Sequence, residues 1–203
     1  HIGPMARTRE FDMDAVLNQA LAVFWKHGYA ATSMADIYAA TGLKPGSLYA
    51  AFTDKETLFR RCFEAYAALF RSTLPRDRDG LDAIAAWLDT QVRLASEDPE
   101  RRGCLIVNTI AERDQHSEAT KALAAGRLQE IRDFFVRHLA IAQARGTLAA
   151  AIDSAVEADA LTGAVVAIMA LGRAGADAQM IAHVAASAKA RLGMPNQTIK
   201  NIN

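Results

Sequence analysis

Apolar residues recur along the first third of the chain at helical spacing. Met13, Val16, Leu17, Ala20 and Phe24 step by three or four and lay one apolar stripe on a helix that Asp12 caps and Gly28 stops. A second helix opens near Ser33, where Ser33 and Asp36 form a capping-box-like pair, and turns Met34, Ile37 and Tyr38 inward. Thr41-Gly42 ends it, because Gly42 is free to take the positive φ of a tight turn. A short third helix has Pro45 in its first turn, where an N–H is dispensable, and Leu48 and Phe52 on one face. A fourth opens at Thr53 or Asp54, buries Leu58, Phe59, Cys62, Phe63 and Tyr66, and ends near Pro75.

Arg76-Asp77-Arg78-Asp79-Gly80 is a polar break between two domains. Beyond it the pattern predicts five more helices, over about Leu81–Ser96, Cys104–Asp114, Ser117–Arg145, Asp153 or Ser154 to Arg173, and from Asp177 to Gly193-Met194-Pro195. Strand-like runs are absent and alanine is abundant, so the fold class is all-α with about nine helices. The expected organisation is a tag remnant over 1–4, a three-helix unit over 5–53, a connecting helix over 54–75, a larger helical domain over 80–194 and a polar tail over 195–203.

Three helices, the last two joined by a tight turn, make a helix-turn-helix if the third helix presents small, polar or cationic groups outward. Ile37, Leu43, Leu48 and Phe52 lock the unit, which leaves Lys44, Gly46, Ser47, Tyr49 and Ala50 outside. No acidic residue occurs between Ile37 and Thr53, as a phosphate-facing surface requires. Lys55, a cation in a first helical turn, opposes the macrodipole; a phosphate at that terminus would account for it, and so would a solvated lysine balanced by Glu56.

Composition narrows the rest. The 203 residues carry zero formal net charge, so any cationic surface is local. Cys62 and Cys104 make no disulfide framework and fit a reducing cytoplasm. The uncharged run Ala160–Gly172 reads as too short for a membrane span of ~20 residues. Phosphate-binding loops, nucleophile elbows and helical metal-binding pairs are missing, so neither cofactor nor metal is expected and an enzyme is the weaker class. Glu112 and His116, four apart, read as a surface pair.

The stretch TSMADIYAATGLKPGSLYAAFTDKETLF (32–59), with AVFWKHGYAATS before it, closely resembles the TetR family of bacterial transcriptional regulators. The resemblance implies phosphate contacts at Thr32, Ser33, Tyr49 and Lys55, and close backbone approach at Gly46. It leaves Lys44, Pro45, Ser47 and Ala50 for base edges, Ala50 being suited to a thymine methyl. Arg7 would reach an adjacent groove or phosphate, and Arg9 fits a basic arm. Ala51 and Pro45 depart from the commoner family pattern.

The resemblance further implies a cytoplasmic repressor that binds a palindromic double-stranded operator and is released by a small-molecule or thiol-reactive effector. The alternative is an all-helical small-molecule-binding protein or enzyme without DNA function. The eighth helix is apolar nearly all round, with Gly163, Ala164 and Ala167, and the ninth carries Met180, Ile181, Val184, Ala185, Ala188 and Leu192; together they suit a homodimer interface. Trp87, Gln91, Asn108, Phe134, Phe135, His138 and Met169 are expected pocket lining, though each also fits ordinary core. Cys104 sits beside Arg101 and Arg102 at a predicted helix start, where a thiol pKa is lowered; that suits a reactive sensor, against the alternative of a small buried residue. Cys62 reads as core.

Overall fold

In the computed structural model, residues 12–194 are described. They form nine α-helices and no strand: α1 (Met13–His27), α2 (Met34–Thr41), α3 (Pro45–Ala51), α4 (Lys55–Ser72), α5 (Gly80–Glu97), α6 (Leu105–Ala111), α7 (Glu118–Ala144), α8 (Ser154–Ala174) and α9 (Ala178–Arg191). Arg7, Arg9, the expected tag remnant and the tail lie outside the described residues.

The expected caps set the helix ends. Asp12, Asp54, Ser117 and Asp153 each accept a backbone N–H from the first turn of α1, α4, α7 and α8. Ser33 and Asp36 complete a reciprocal capping box on α2. Gly42 takes φ 67°, the left-handed conformation that turns α2 into α3 without a Cβ clash. The predicted sixth helix is shorter than expected. It ends at Ala111, and the chain tightens into a single 3-10 turn, Arg113–Gln115, that carries His116 inward.

α1 packs on α2 and α4. Phe24 of α1 meets Phe59 of α4 edge-to-face at 5.1 Å between centroids. In the second unit α5, α7, α8 and α9 pack together, with α6 wedged against α4, α7 and α8. Its core centres on Trp87, packed edge-to-face on Phe70 and at a tilt against Phe134 and Phe135. Gly172 lets α8 press on α5, since a Cβ there would lie 2.7 Å from the Ala95 carbonyl oxygen.

α8 corrects one expectation. By length and composition alone its 21 residues are apolar enough to cross a membrane, because the helix extends beyond the uncharged run at both ends. Leu161, Val165, Ile168 and Met169 are buried within this chain, where α8 contacts α5, α7 and α9. Its other side leaves Val156, Ala160, Gly163 and Ala170 exposed.

Candidate nucleic-acid interface

The outer face of α3 follows from what its inner face must bury. Leu48 is sealed in the core and Phe52 closes the helix beneath it. One helical face taken inward leaves Lys44, Pro45, Gly46, Tyr49, Ala50 and Ala51 exposed and Ser47 half-buried. Tyr49 is a large aromatic side chain left 50% exposed, with its hydroxyl near that of Tyr38. No carboxylate is carried on α3 or its preceding turn. The surface is therefore small, hydroxylated and cationic at Lys44.

Thr32 does not reach this surface. It is buried, and its hydroxyl donates to the Gly28 carbonyl at 2.6 Å, tying off the end of α1 instead of facing phosphate. Ser33 is exposed, but its hydroxyl accepts from the Asp36 N–H and donates to the Asp36 carboxylate at 2.6 Å. Lys55 is half-buried, with its ammonium 4.3 Å above the Tyr29 ring. Burial lowers the Lys55 pKa, while the carboxylates of Glu112, Glu56 and Asp36 oppose that shift. Tyr29 thus positions this cation, a role the sequence pattern did not reveal.

Beneath Lys55 lies a junction between the two units. The Glu56 carboxylate accepts the Ser117 N–H at 3.2 Å, the Ser117 hydroxyl at 2.6 Å and the Thr120 hydroxyl at 2.5 Å. Burial alone would raise its pKa; the hydrogen bonds from Ser117, Thr120 and Tyr29 outweigh it and bring it down to about 2. Burial and the neighbouring Glu56 push Tyr29 the other way, well above the usual phenol range.

Glu112 and His116 are not the surface pair expected. The Glu112 carboxylate accepts the Tyr29 backbone N–H at 2.9 Å. His116 is buried, its ring 4.5 Å from that of Tyr29 and 5.0 Å from that of Phe59, with neither ring nitrogen hydrogen-bonded. Burial lowers its pKa, while Glu56 and Glu112 pull the other way. The 3-10 turn after α6 delivers both residues here, which an uninterrupted sixth helix would not. A second junction joins Trp25 to the 98–103 loop: its indole donates to the Gly103 carbonyl at 2.9 Å and its ring carries the Arg102 guanidinium at 4.2 Å.

Of the expected pocket residues, Trp87 lines a narrow slot. That slot lies between α4, α6 and α7, has a volume of about 20 Å³ and has Arg71, Arg127 and Glu130 at its rim. Four charges strap it: Glu130 accepts Arg71 at 3.0 and 3.1 Å and also Arg127, and Arg127 reaches Glu64 at 2.7 Å. Phe134, Phe135 and Met169 are core side chains. Asn108 is buried with its amide on the Arg102 carbonyl at 2.9 Å. Gln91 is fully buried with neither amide atom partnered, and His138 is buried with Nδ1 unpartnered.

Cys104 contradicts the low-pKa expectation. It is buried at the N-cap of α6, and that burial raises its thiol pKa despite a hydrogen bond with Tyr66. The neighbouring arginines point elsewhere: Arg102 lies on Trp25 and pairs with Asp98. Cys62 is buried in the core as expected, with its thiol pushed up to about 12 by burial. Among the described residues no group of three His, Cys, Asp or Glu side chains is arranged to hold a metal.

Comparison with known proteins matches two family models: bacterial regulatory proteins of the tetR family over residues 16–62, and the tetracyclin repressor-like C-terminal domain over residues 80–188. The chain is 37% identical over 107 residues to the HTH-type transcriptional repressor ComR of Escherichia coli K12, covering 50% of this chain and 51% of ComR. It is 30% identical over 149 residues to the uncharacterized HTH-type transcriptional regulator YezE of Bacillus subtilis 168, covering 71% and 76%. Among solved structures, a TetR transcriptional regulator from Chloroflexus aurantiacus superposes with TM-score 0.80 at 28% identity, over 89% of this chain and 93% of that one. A cysteine mutant of the TetR family regulator CifR, bound to 26-bp double-strand operator DNA, gives TM-score 0.78 at 26% identity, over 90% and 97%.

Proposed function

Because the chain belongs to the TetR family of bacterial transcriptional regulators, we propose that it acts as a cytoplasmic repressor, regulatory rather than catalytic, whose DNA contacts come from α3 and the start of α4. One observation carries the assignment: α3 exposes an acid-free face with a half-exposed Tyr49, beside a lysine held in place by an aromatic ring. Tyr49 and Lys55 take phosphate; Lys44, Pro45, Ser47 and Ala50 lie against base edges; Gly46 permits close approach. Ser33 contributes through its backbone, its hydroxyl being occupied by the cap. The reading unit spans 5–53, with Arg7 in its leading arm, α4 connects, and 80–194 regulates.

The operator is palindromic and is read by a homodimer, which needs the two α3 helices about one DNA turn apart, ~34–36 Å. The exposed side of α8 at Val156, Ala160, Gly163 and Ala170, continued by Met180 on α9, favours that face as the dimer contact. A small-molecule effector would enter the Trp87 slot, part the Arg71–Glu130–Arg127 strap and shift α4; the unpartnered amide of Gln91 and Nδ1 of His138 are buried groups it would satisfy. The effector must favour one arrangement over the other, or nothing changes.

DNA selected in vitro on the purified protein tests the interface. Tyr49→Ala and Lys55→Ala should each weaken salt-sensitive binding about tenfold. Undiminished binding in both variants rejects the assignment. Gly163→Arg should convert the dimer to monomer in light scattering; an unchanged mass rejects α8 as the contact.

A further inference from the structure

One cleft among the described residues lies outside the core. It opens on the outer side of the α6–α7 pair, with a volume of about 100 Å³. Its floor is apolar, from Ile110 of α6 and from Ala124, Ala125 and Leu128 of α7. Its polar edge holds two cations, Arg113 and Lys121, and no carboxylate lines it. The Arg113 guanidinium makes no ion pair or side-chain hydrogen bond among the described residues. Lys121 meets Glu118 at 2.7 Å, but that carboxylate is 85% exposed and the pair is screened by water, so a better-placed anion exchanges with it at little cost.

We infer that this cleft binds a compact apolar carboxylate, with the hydrocarbon tail on Ile110, Ala124 and Leu128 and the carboxylate between Arg113 and Lys121. Size sets the tail: a closed cavity of about 150 Å³ holds benzene, so about 100 Å³ with an open mouth takes four to six carbons. Charge sets the head, because two cations beside an apolar floor, faced only by the exposed Glu118 carboxylate, reward an anion and penalise a cation. The site is separate from the Trp87 slot, whose volume of about 20 Å³ admits about one water until the Arg71–Glu130–Arg127 strap parts.

Position gives the site a consequence, which alone rests on the repressor reading. Arg113 opens the 3-10 turn whose end is fixed by the His116 N–H on the Arg113 carbonyl at 3.2 Å, and His116 packs on Tyr29, the ring that carries Lys55. Thr120, next to Lys121, donates to Glu56. An anion bridging Arg113 and Lys121 therefore pulls on both sides of the junction beneath the DNA-facing lysine.

Hexanoate is the probe, titrated against the full chain by amide NMR and calorimetry, with hexanamide and hexylamine as matched controls. Shifts should centre on Thr109 and Ala124. Arg113→Gln and Lys121→Gln should each weaken hexanoate about tenfold, since each removes one charge-assisted contact. Ala125→Phe, an exposed position, should block binding by filling the cleft while leaving both cations. Hexanamide binding as well as hexanoate, unaltered affinity in the Arg113→Gln/Lys121→Gln double variant, or no hexanoate binding overturns the site. Hexanoate that binds as described yet leaves affinity for selected DNA unchanged overturns only its regulatory consequence.

Discussion

Replacing Glu56 by Gln isolates the junction between the DNA-facing unit and the regulatory helices. Glutamine approximates the protonated acid: it keeps the volume but loses the charge that gathers the Ser117 and Thr120 donors. The carboxyl is held at about 2, against 4.5 for a free glutamate side chain. That fall is worth about 3 kcal/mol at 1.36 kcal/mol per pH unit. The Glu56 side chain is only 20% exposed, so screening removes little of it. Because the folded-state pKa is depressed, the stabilisation is complete above about pH 4.5 and fades as pH falls towards about 2. Urea unfolding at fixed protein concentration, followed by fluorescence of Trp25 and Trp87, should therefore show Glu56→Gln less stable by about 3 kcal/mol at pH 7 and by about 2 kcal/mol at pH 3.5. The melting temperature should drop by roughly 6–12 °C for a chain of this size. A loss below about 1 kcal/mol, or one that does not narrow with acid, refutes the reasoning.

Three further outcomes follow from buried groups. His116 has a folded pKa below its unfolded value, so its contribution is present above pH ~6.5 and lost as pH falls; His116→Phe, which retains the stacking on Tyr29 and Phe59, should flatten the stability profile between pH 7 and 5.5, and an unchanged slope excludes this histidine. Cys104 and Cys62 are both buried with raised pKa values, so a thiol reagent should modify the native protein only as fast as it opens; rapid stoichiometric labelling of Cys104 at neutral pH would restore a direct sensing role. Gly172→Ala sets a Cβ 2.7 Å from the Ala95 carbonyl oxygen and 2.9 Å from its Cβ, neither on a flexible chain, and should cost about 1–3 kcal/mol in urea unfolding.

What the sequence determined by itself was local. Apolar spacing, Asp and Ser caps and Gly42 mark helix ends through interactions that span at most one turn, and nearly all nine helices sit where those signals put them. The exposed face of α3 was legible for the same reason: Leu48 and Phe52 fix which side is buried, and the remaining residues have only one side left. The tertiary structure decided whatever depends on residues far apart in the chain. It turned Cys104 from a cation-flanked thiol into a core side chain, because burial and not sequence neighbours sets its solvent. It placed Lys55 on Tyr29 across the α1–α4 contact and brought Glu56 to Ser117 and Thr120 across 61 and 64 positions. It also broke the sixth helix at Ala111, moving His116 from an expected surface into an aromatic stack. Periodicity says which face of a helix avoids water; only the packed chain says which distant groups are waiting there.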